Sequence, residues 1–404
     1  MKKLLVALAA CCGIVSQSFA TEAELSKDSL KKGSITFNTA YLNGQYTNKQ
    51  LVNFSLEFIN TTDRILQNVQ EQGTTAAIIA SSVVLLYCDE KVTNTLHEAG
   101  HGLRAKSYGV DYQFLLDCRD ESPFKKDENF FKFFFRELLN TKRAACRANI
   151  KQIEGLEKSL DKSSACNGLI IYGAGGMNNQ VQLAEKISDD IYSKKKMPGL
   201  FSYAMYLKNR LDPILYDYMA KEMGDDPFSI QYYFKQRGEN NFKKGTISNA
   251  GWISLLLSAT TYSALTDKPI QFHGFRIPDV FPYITKRGMS YKAVSGYEVR
   301  NGLNLIFGLE RAFKIEPATE CSLGISHHMI DNKFPISYSG IVTFGQGFDF
   351  EASCSIPLSK SFSLGAGCEI YSVKSLQGQR NATTNMKESN GFSKNFFASV
   401  SYRF

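Results

Sequence analysis

FDFEASCSIPLSKSFSLGAGCEIYSV, residues 348–373, alternates apolar and polar side chains with a period of two on both sides of a short turn. Phe348, Phe350, Ala352, Cys354 and Ile356 share one face, and Asp349, Glu351, Ser353 and Ser355 share the other. Phe362, Leu364, Ala366, Cys368 and Ile370 repeat the pattern after the turn. Strands with one apolar and one polar face form either a soluble sandwich, whose apolar faces meet, or a transmembrane barrel, whose apolar face meets lipid. The same texture predicts strands near 288–299, 302–311, 318–328, 336–345, 347–357, 361–373 and 394–404. Bacterial barrels close with an even number, so an eighth strand is expected from 33–43 or from the less regular 270–277.

The end of the chain favours the barrel. Ala398, Val400, Tyr402 and Phe404 alternate with Ser399, Ser401 and Arg403, and a last strand of this kind ending on Phe resembles the closing strand of bacterial outer-membrane barrel proteins. The start agrees: Lys2 and Lys3, an apolar run, and small residues at Ser18 and Ala20 form a signal-peptide pattern over residues 1–20. The resemblance implies the outer membrane of a Gram-negative-type bacterium, with its lipid as a partner. Taking the short turn at 358–360 as periplasmic and the long segment KSLQGQRNATTNMKESNG as an outer loop, a first strand at 270–277 places the preceding region in the periplasm. A first strand at 33–43 makes that region an outward insertion. The periplasmic arrangement is the expectation here.

Residues 21–50 form an N-terminal segment with one strand, and residues 51–268 carry mostly helical periodicity. The predicted fold class is α+β: a helical domain followed, over 269–404, by an antiparallel up-and-down barrel of about eight strands. The apolar run TAAIIASSVVLLYC, 75–88, is shorter than a spanning helix requires and reads as a buried helix. YGAGGMNNQ, 172–180, lacks phosphate-loop spacing and reads as a strand-to-helix turn. FFKFFFRELL predicts a helix with a buried stripe of Phe131, Phe134, Phe135 and Leu138. The net charge of +8, lowered by two when Lys2 and Lys3 leave with the leader, is spread without a dense basic block, which argues against a nucleic-acid partner. Seven cysteines remain after the leader, an odd number that leaves at least one thiol unpaired, with a single disulfide among Cys118, Cys146 and Cys166 open.

Residues 95–109, TLHEAGHGLRAKSYG, carry the chemistry. Two histidines four apart stand on one face of a helix, so His97 and His101 can share a metal while Glu98 addresses the bound water. Val92, Leu96, Ala99 and Leu103 form the apolar stripe of that helix, and Gly109 is its C-terminal cap. In such a site Zn²⁺ brings the pKa of its water to about 7 and polarises a scissile carbonyl, and Glu98 moves the proton to the leaving amine.

The segment from His97 through Gly109-Val110 resembles the site-2 protease family, whose zinc-motif helix also runs through small and basic residues to a Gly-Val end. The family continues with a Gly-Pro-x-x-Asn loop and a Leu-Asp-Gly that supplies the third ligand. Here Gly175-Gly176-Met177-Asn178-Asn179 and Leu211-Asp212-Pro213 stand in that order, with Gly for Pro and Pro for Gly. The resemblance spans at most 75–215 and implies His97, His101 and Asp212 as zinc ligands. Glu137, Glu185 and His273 are the other candidates for the third position. The family's long spanning helices have no counterpart, so the zinc chemistry carries over and an intramembrane site does not. The expected function is a zinc peptidase anchored in the outer membrane and acting on proteins or peptides. The alternative is a non-catalytic barrel protein whose helical domain binds a partner.

Overall fold

The computed structural model describes residues 34–41, 46–72, 75–194, 200–266, 271–300, 302–313, 315–327, 336–359, 362–388 and 390–403. The leader expected over 1–20 lies outside them. β1 (Ser34–Tyr41) is followed by α1 (Asn48–Gln72), α2 (Thr75–Ser107), β2 (Tyr112–Leu115), α3 (Phe130–Glu137), β3 (Ala145–Ala148), α4 (Ile150–Ser159) and α5 (Lys162–Lys194). α6 (Leu200–Met219), α7 (Asp226–Gln236), α8 (Thr246–Leu256) and α9 (Ala259–Thr266) complete the helical part. β4 (Gln271–Phe272), β5 (Phe275–Thr285), β6 (Gly288–Arg300), β7 (Leu303–Ala312), β8 (Ala318–His327), β9 (Ser337–Phe344), β10 (Phe348–Pro357) and β11 (Phe362–Ser372) then follow, with α10 (Leu376–Asn381) before β12 (Phe392–Arg403).

The α+β class is as expected, and β6 to β12 fall within about two residues of the ranges read from periodicity. The sheet is not the expected closed barrel of about eight strands. Ten strands form one antiparallel sheet in the order β1-β12-β11-β10-β9-β8-β7-β6-β5-β4, in which β5 to β12 are eight consecutive neighbours and no pairing among the described residues joins the two ends. Both disputed segments belong to it: β1 pairs with β12, Ser34 opposite Arg403, and 271–285 supplies β4 and β5. The helices are therefore an insertion between strands of one sheet rather than a domain that precedes it.

β5 is an edge strand along most of its length, and its backbone is satisfied by helices. Every second residue of such a strand turns its N–H and C=O away from its neighbour, and those groups need partners. The Val280 N–H donates to Ser258 Oγ at 3.0 Å, and its carbonyl accepts from Ser258 Oγ and Arg210 Nη2. The Ile284 N–H donates to Asn178 Oδ1 at 2.9 Å, and its carbonyl accepts from Asn178 Nδ2 at 2.8 Å. Between them stands Pro282, which has no N–H to satisfy. Asn178→Ala is expected to leave both Ile284 groups unpaired and to destabilise the fold by about 2–4 kcal/mol, measurable as a lowered denaturation midpoint.

The sheet is inverted relative to a soluble one. Leu309, Leu323, Phe344, Phe348, Ile356, Leu364 and Phe396 are exposed on one face, while Glu310, Glu320, Asp349, Glu351 and Glu369 are buried on the other. Part of that polar face meets the helices. Lys292 pairs with Glu185 at 2.7 Å, Lys49 with Glu351, and Arg380 is bidentate to Glu310 with its guanidinium 3.9 Å from the Tyr283 ring centroid. A cavity of about 540 Å³ remains between sheet and helices.

Three local expectations are corrected. Residues 172–180 lie inside α5 and not at a turn, because their glycines serve helix crossing. α3 buries Phe130, Phe133, Phe134 and Glu137 and exposes Phe135, one residue out of phase with the stripe read from sequence. Val83, Val84, Leu86 and Tyr87 in the first half of α2 are exposed rather than buried. Among the described residues no helix is long and apolar enough to cross a membrane. Cys118, Cys146 and Cys166 are free thiols.

Candidate metal centre

α2 carries His97, Glu98 and His101, and it ends as the sequence predicts. Gly109 adopts φ +70, its N–H reaches the Lys106 carbonyl at 2.8 Å, and the Val110 N–H reaches Ala105 at 3.0 Å. The stripe of Val92, Leu96, Ala99 and Leu103 is buried. α2 crosses α5 at a point where neither chain has room for a side chain. A Cβ on Gly100 would lie 2.2 Å from the Gly175 carbonyl oxygen, and one on Gly175 would lie 2.5 Å from that of Gly100. A Cβ on Gly176 would sit 2.5 Å from the His97 ring. The glycine run thus lets the backbones touch and leaves space for the imidazole.

The two histidine Nε2 atoms are 3.1 Å apart, and Asp226 Oδ2 lies 2.9 Å from that of His97 and 3.2 Å from that of His101. A tetrahedral zinc with bonds of 2.0–2.1 Å has ligand atoms roughly 3.3 Å apart, so the three atoms are already close to that spacing. Both rings are held from behind. The His101 Nδ1–H donates to the Tyr172 carbonyl at 2.8 Å, and the His97 Nδ1–H donates to Gln180 Oε1 at 3.2 Å. That pairing fixes the tautomer with Nε2 free to bind a metal, the arrangement metal-ligating histidines need.

The carboxylate that lies with the two histidines is Asp226 and not Asp212. Asp226 is the first residue of α7, followed by Pro227, and its N–H donates to Tyr216 Oη at 3.1 Å. Asp212 accepts instead from Gln180 Nε2 at 3.3 Å, so it steadies the amide that steadies His97. The other candidates are engaged elsewhere: Glu137 accepts from Lys91 and Asn140, Glu185 from Tyr283 and Lys292, and His273 lies in the turn before β5. Among the described residues His97, His101 and Asp226 are the cluster able to hold a metal ion. Asp226, Gln180 and Tyr172 were not identified from sequence; only the Asp-Asp-Pro helix start around Asp226 carried a signal, and it says nothing about what the carboxylate faces.

Glu98 Oε2 accepts the Cys146 N–H of β3 at 2.6 Å. Burial raises its pKa, against the pull of both histidines, which suits a general base. Burial disfavours a charged His101, but the adjacent Asp226 outweighs it and holds the imidazole up at about 9. Asp226 is held far below the ordinary carboxylate range: burial opposes its charge, and His101 and His97 more than compensate.

A pH signature follows. A metal must displace the His101 proton, so its affinity is expected to rise between about pH 6.5 and 9, roughly tenfold per unit for one proton. The metal-free protein changes the opposite way. The His101–Asp226 contribution to stability is fully present between about pH 4 and 6.5, falls off below as Asp226 is protonated, and is lost as pH rises through about 9. Competition titrations and metal-free melting curves over that range measure the two slopes.

No known protein family matches the chain, and no curated protein does.

Proposed function

We propose that this chain is a zinc-dependent peptidase held in an outer membrane of the Gram-negative type by its sheet. The observation that carries the reading is the convergence of the His97 and His101 Nε2 atoms on Asp226, with each Nδ1 tied to its own acceptor. The donor set fits zinc: two imidazoles and one carboxylate leave a fourth position for water or substrate. When bound, the ion supplies Lewis acidity to a scissile carbonyl and to a water. Glu98 accepts the water's proton and delivers it to the leaving amine, while Gln180 and the Tyr172 carbonyl keep the rings oriented.

The inverted faces of the sheet support a barrel-type wall with lipid outside. The long loop supports one side for the helices. Arg104 donates to the Gln379 carbonyl, the Met386 N–H to Ser107, and Gln182 to Asn381. The helices share the end of the sheet with 374–391, the segment read as the outer loop, which supports an insertion that faces outward and acts on proteins or peptides near that surface. The engagement of Glu98 by the Cys146 N–H favours a second reading, a partner-binding domain without turnover.

Zinc content together with peptidase activity of Glu98→Gln separates the two. One equivalent of zinc in both proteins, with activity lowered about 10²–10⁴-fold in the variant, supports the enzyme. Equal zinc with no Glu98-dependent cleavage supports the binding domain. Absence of zinc after reconstitution overturns the metal site.

A further inference from the structure

α8 and α9 show the inversion seen in the strands. From Thr246 to Thr266 the chain has no charged residue. A helix on the surface of a soluble protein buries its apolar stripe and exposes its polar one. Here Ser248, Ser254, Ser258, Thr260 and Ser263 are fully buried beside Ile247, Ala250 and Leu255, while the larger Trp252, Ile253, Leu256, Leu257 and Tyr262 are exposed, Leu256 at 63%. The buried hydroxyls are used: Ser254 accepts from Arg210, Ser258 bonds both backbone groups of Val280, and Thr260 donates to Asp279. They fasten these helices to β5 at the open edge of the sheet. β5 itself exposes Phe275 and Ile277.

The geometry points to a lipid-facing surface on α8 and α9, with the acyl chains of the bilayer as its occupant. The apolar belt of the sheet continues across its unpaired edge on helices instead of ending there. Lipid is favoured over a protein partner by continuity, since Phe275 and Ile277 bring the exposed apolar face of the sheet up to these helices. The inference rests on the outward face of the sheet lying in lipid, and it adds that the wall is part helical. It also brings the membrane near the candidate metal centre. Gly251 of α8 packs on Ile214 of α6, two residues from Asp212.

Trp252 is the single tryptophan of the chain, so its fluorescence reports this surface alone. The experiment places the full-length protein in dioleoylphosphatidylcholine vesicles containing phospholipid brominated along the acyl chains, with iodide as the aqueous quencher. The expected result is blue-shifted emission, strongly lost to brominated lipid and insensitive to iodide. A companion protein, Trp252→Phe with Leu309→Trp, reads the sheet face in the same way. If iodide quenches Trp252, or neither quencher reaches it because a second copy covers it, while the Leu309→Trp probe is quenched by bromine, the helical surface is not lipid-facing and the inference fails alone. If neither probe is quenched by bromine, the membrane placement of the sheet fails with it.

Discussion

If the cluster holds zinc as proposed, Asp226→Asn is expected to lose the metal and Asp212→Asn to retain it. Structural zinc sites are worth about 10–16 kcal/mol of apparent binding, so removing one of three protein ligands is expected to cost about 4 kcal/mol, or roughly a thousandfold in affinity. Asp212 accepts from the amide that holds His97, and outer partners of this kind are worth about 10–100-fold. The two aspartates therefore separate by at least about tenfold in zinc dissociation measured by competition. Equal losses would return Asp212 to the ligand set and remove the basis for the three-atom geometry.

Gly100→Ala and Gly175→Ala are expected to destabilise the helical part by about 3 kcal/mol or more, because the new methyl meets backbone rather than a side chain that can turn away. The contacts are 2.2 Å and 2.5 Å to carbonyl oxygens on the facing helix, so α2 and α5 have to separate. Gly176→Ala presses on the His97 ring instead and should weaken metal binding more than folding. Gly155→Ala is the control. It lies within α4 with nothing within 4 Å of the added methyl, and it should stabilise by roughly 0.5–1 kcal/mol. Denaturation curves for the four variants measure the differences.

The strands were legible because a period of two persists for about ten residues between turns, and the motif helix because its stripe and its cap agree. β5 was not, since Pro278 and Pro282 interrupt its pattern. A proline is acceptable there because Pro278 lies at a register shift and Pro282 in an edge strand whose partners are Asn178 on α5 and Ser258 between α8 and α9. The run Gly173 to Gly176 read as a turn because glycine frees the backbone, whereas here its lack of a side chain is what matters. The two histidines of the cluster are four residues apart and visible on a helix; Asp226 comes from a helix start more than a hundred residues later, and only the folded chain joins them.

The pairing of β1 with β12 also governs how the molecule is made. It joins the first described strand to the last, so its loop-closure cost is met only after everything between has been synthesised, and pairing of such high contact order is slow. Until then β12 and β5 are both raw edges, able to recruit strands from other chains. The helices that cover β5 lie between β1 and β5 in sequence. A chain whose insertion misfolds therefore keeps an open seam, and such a chain is prone to aggregation and proteolysis before it is ever tested for catalysis.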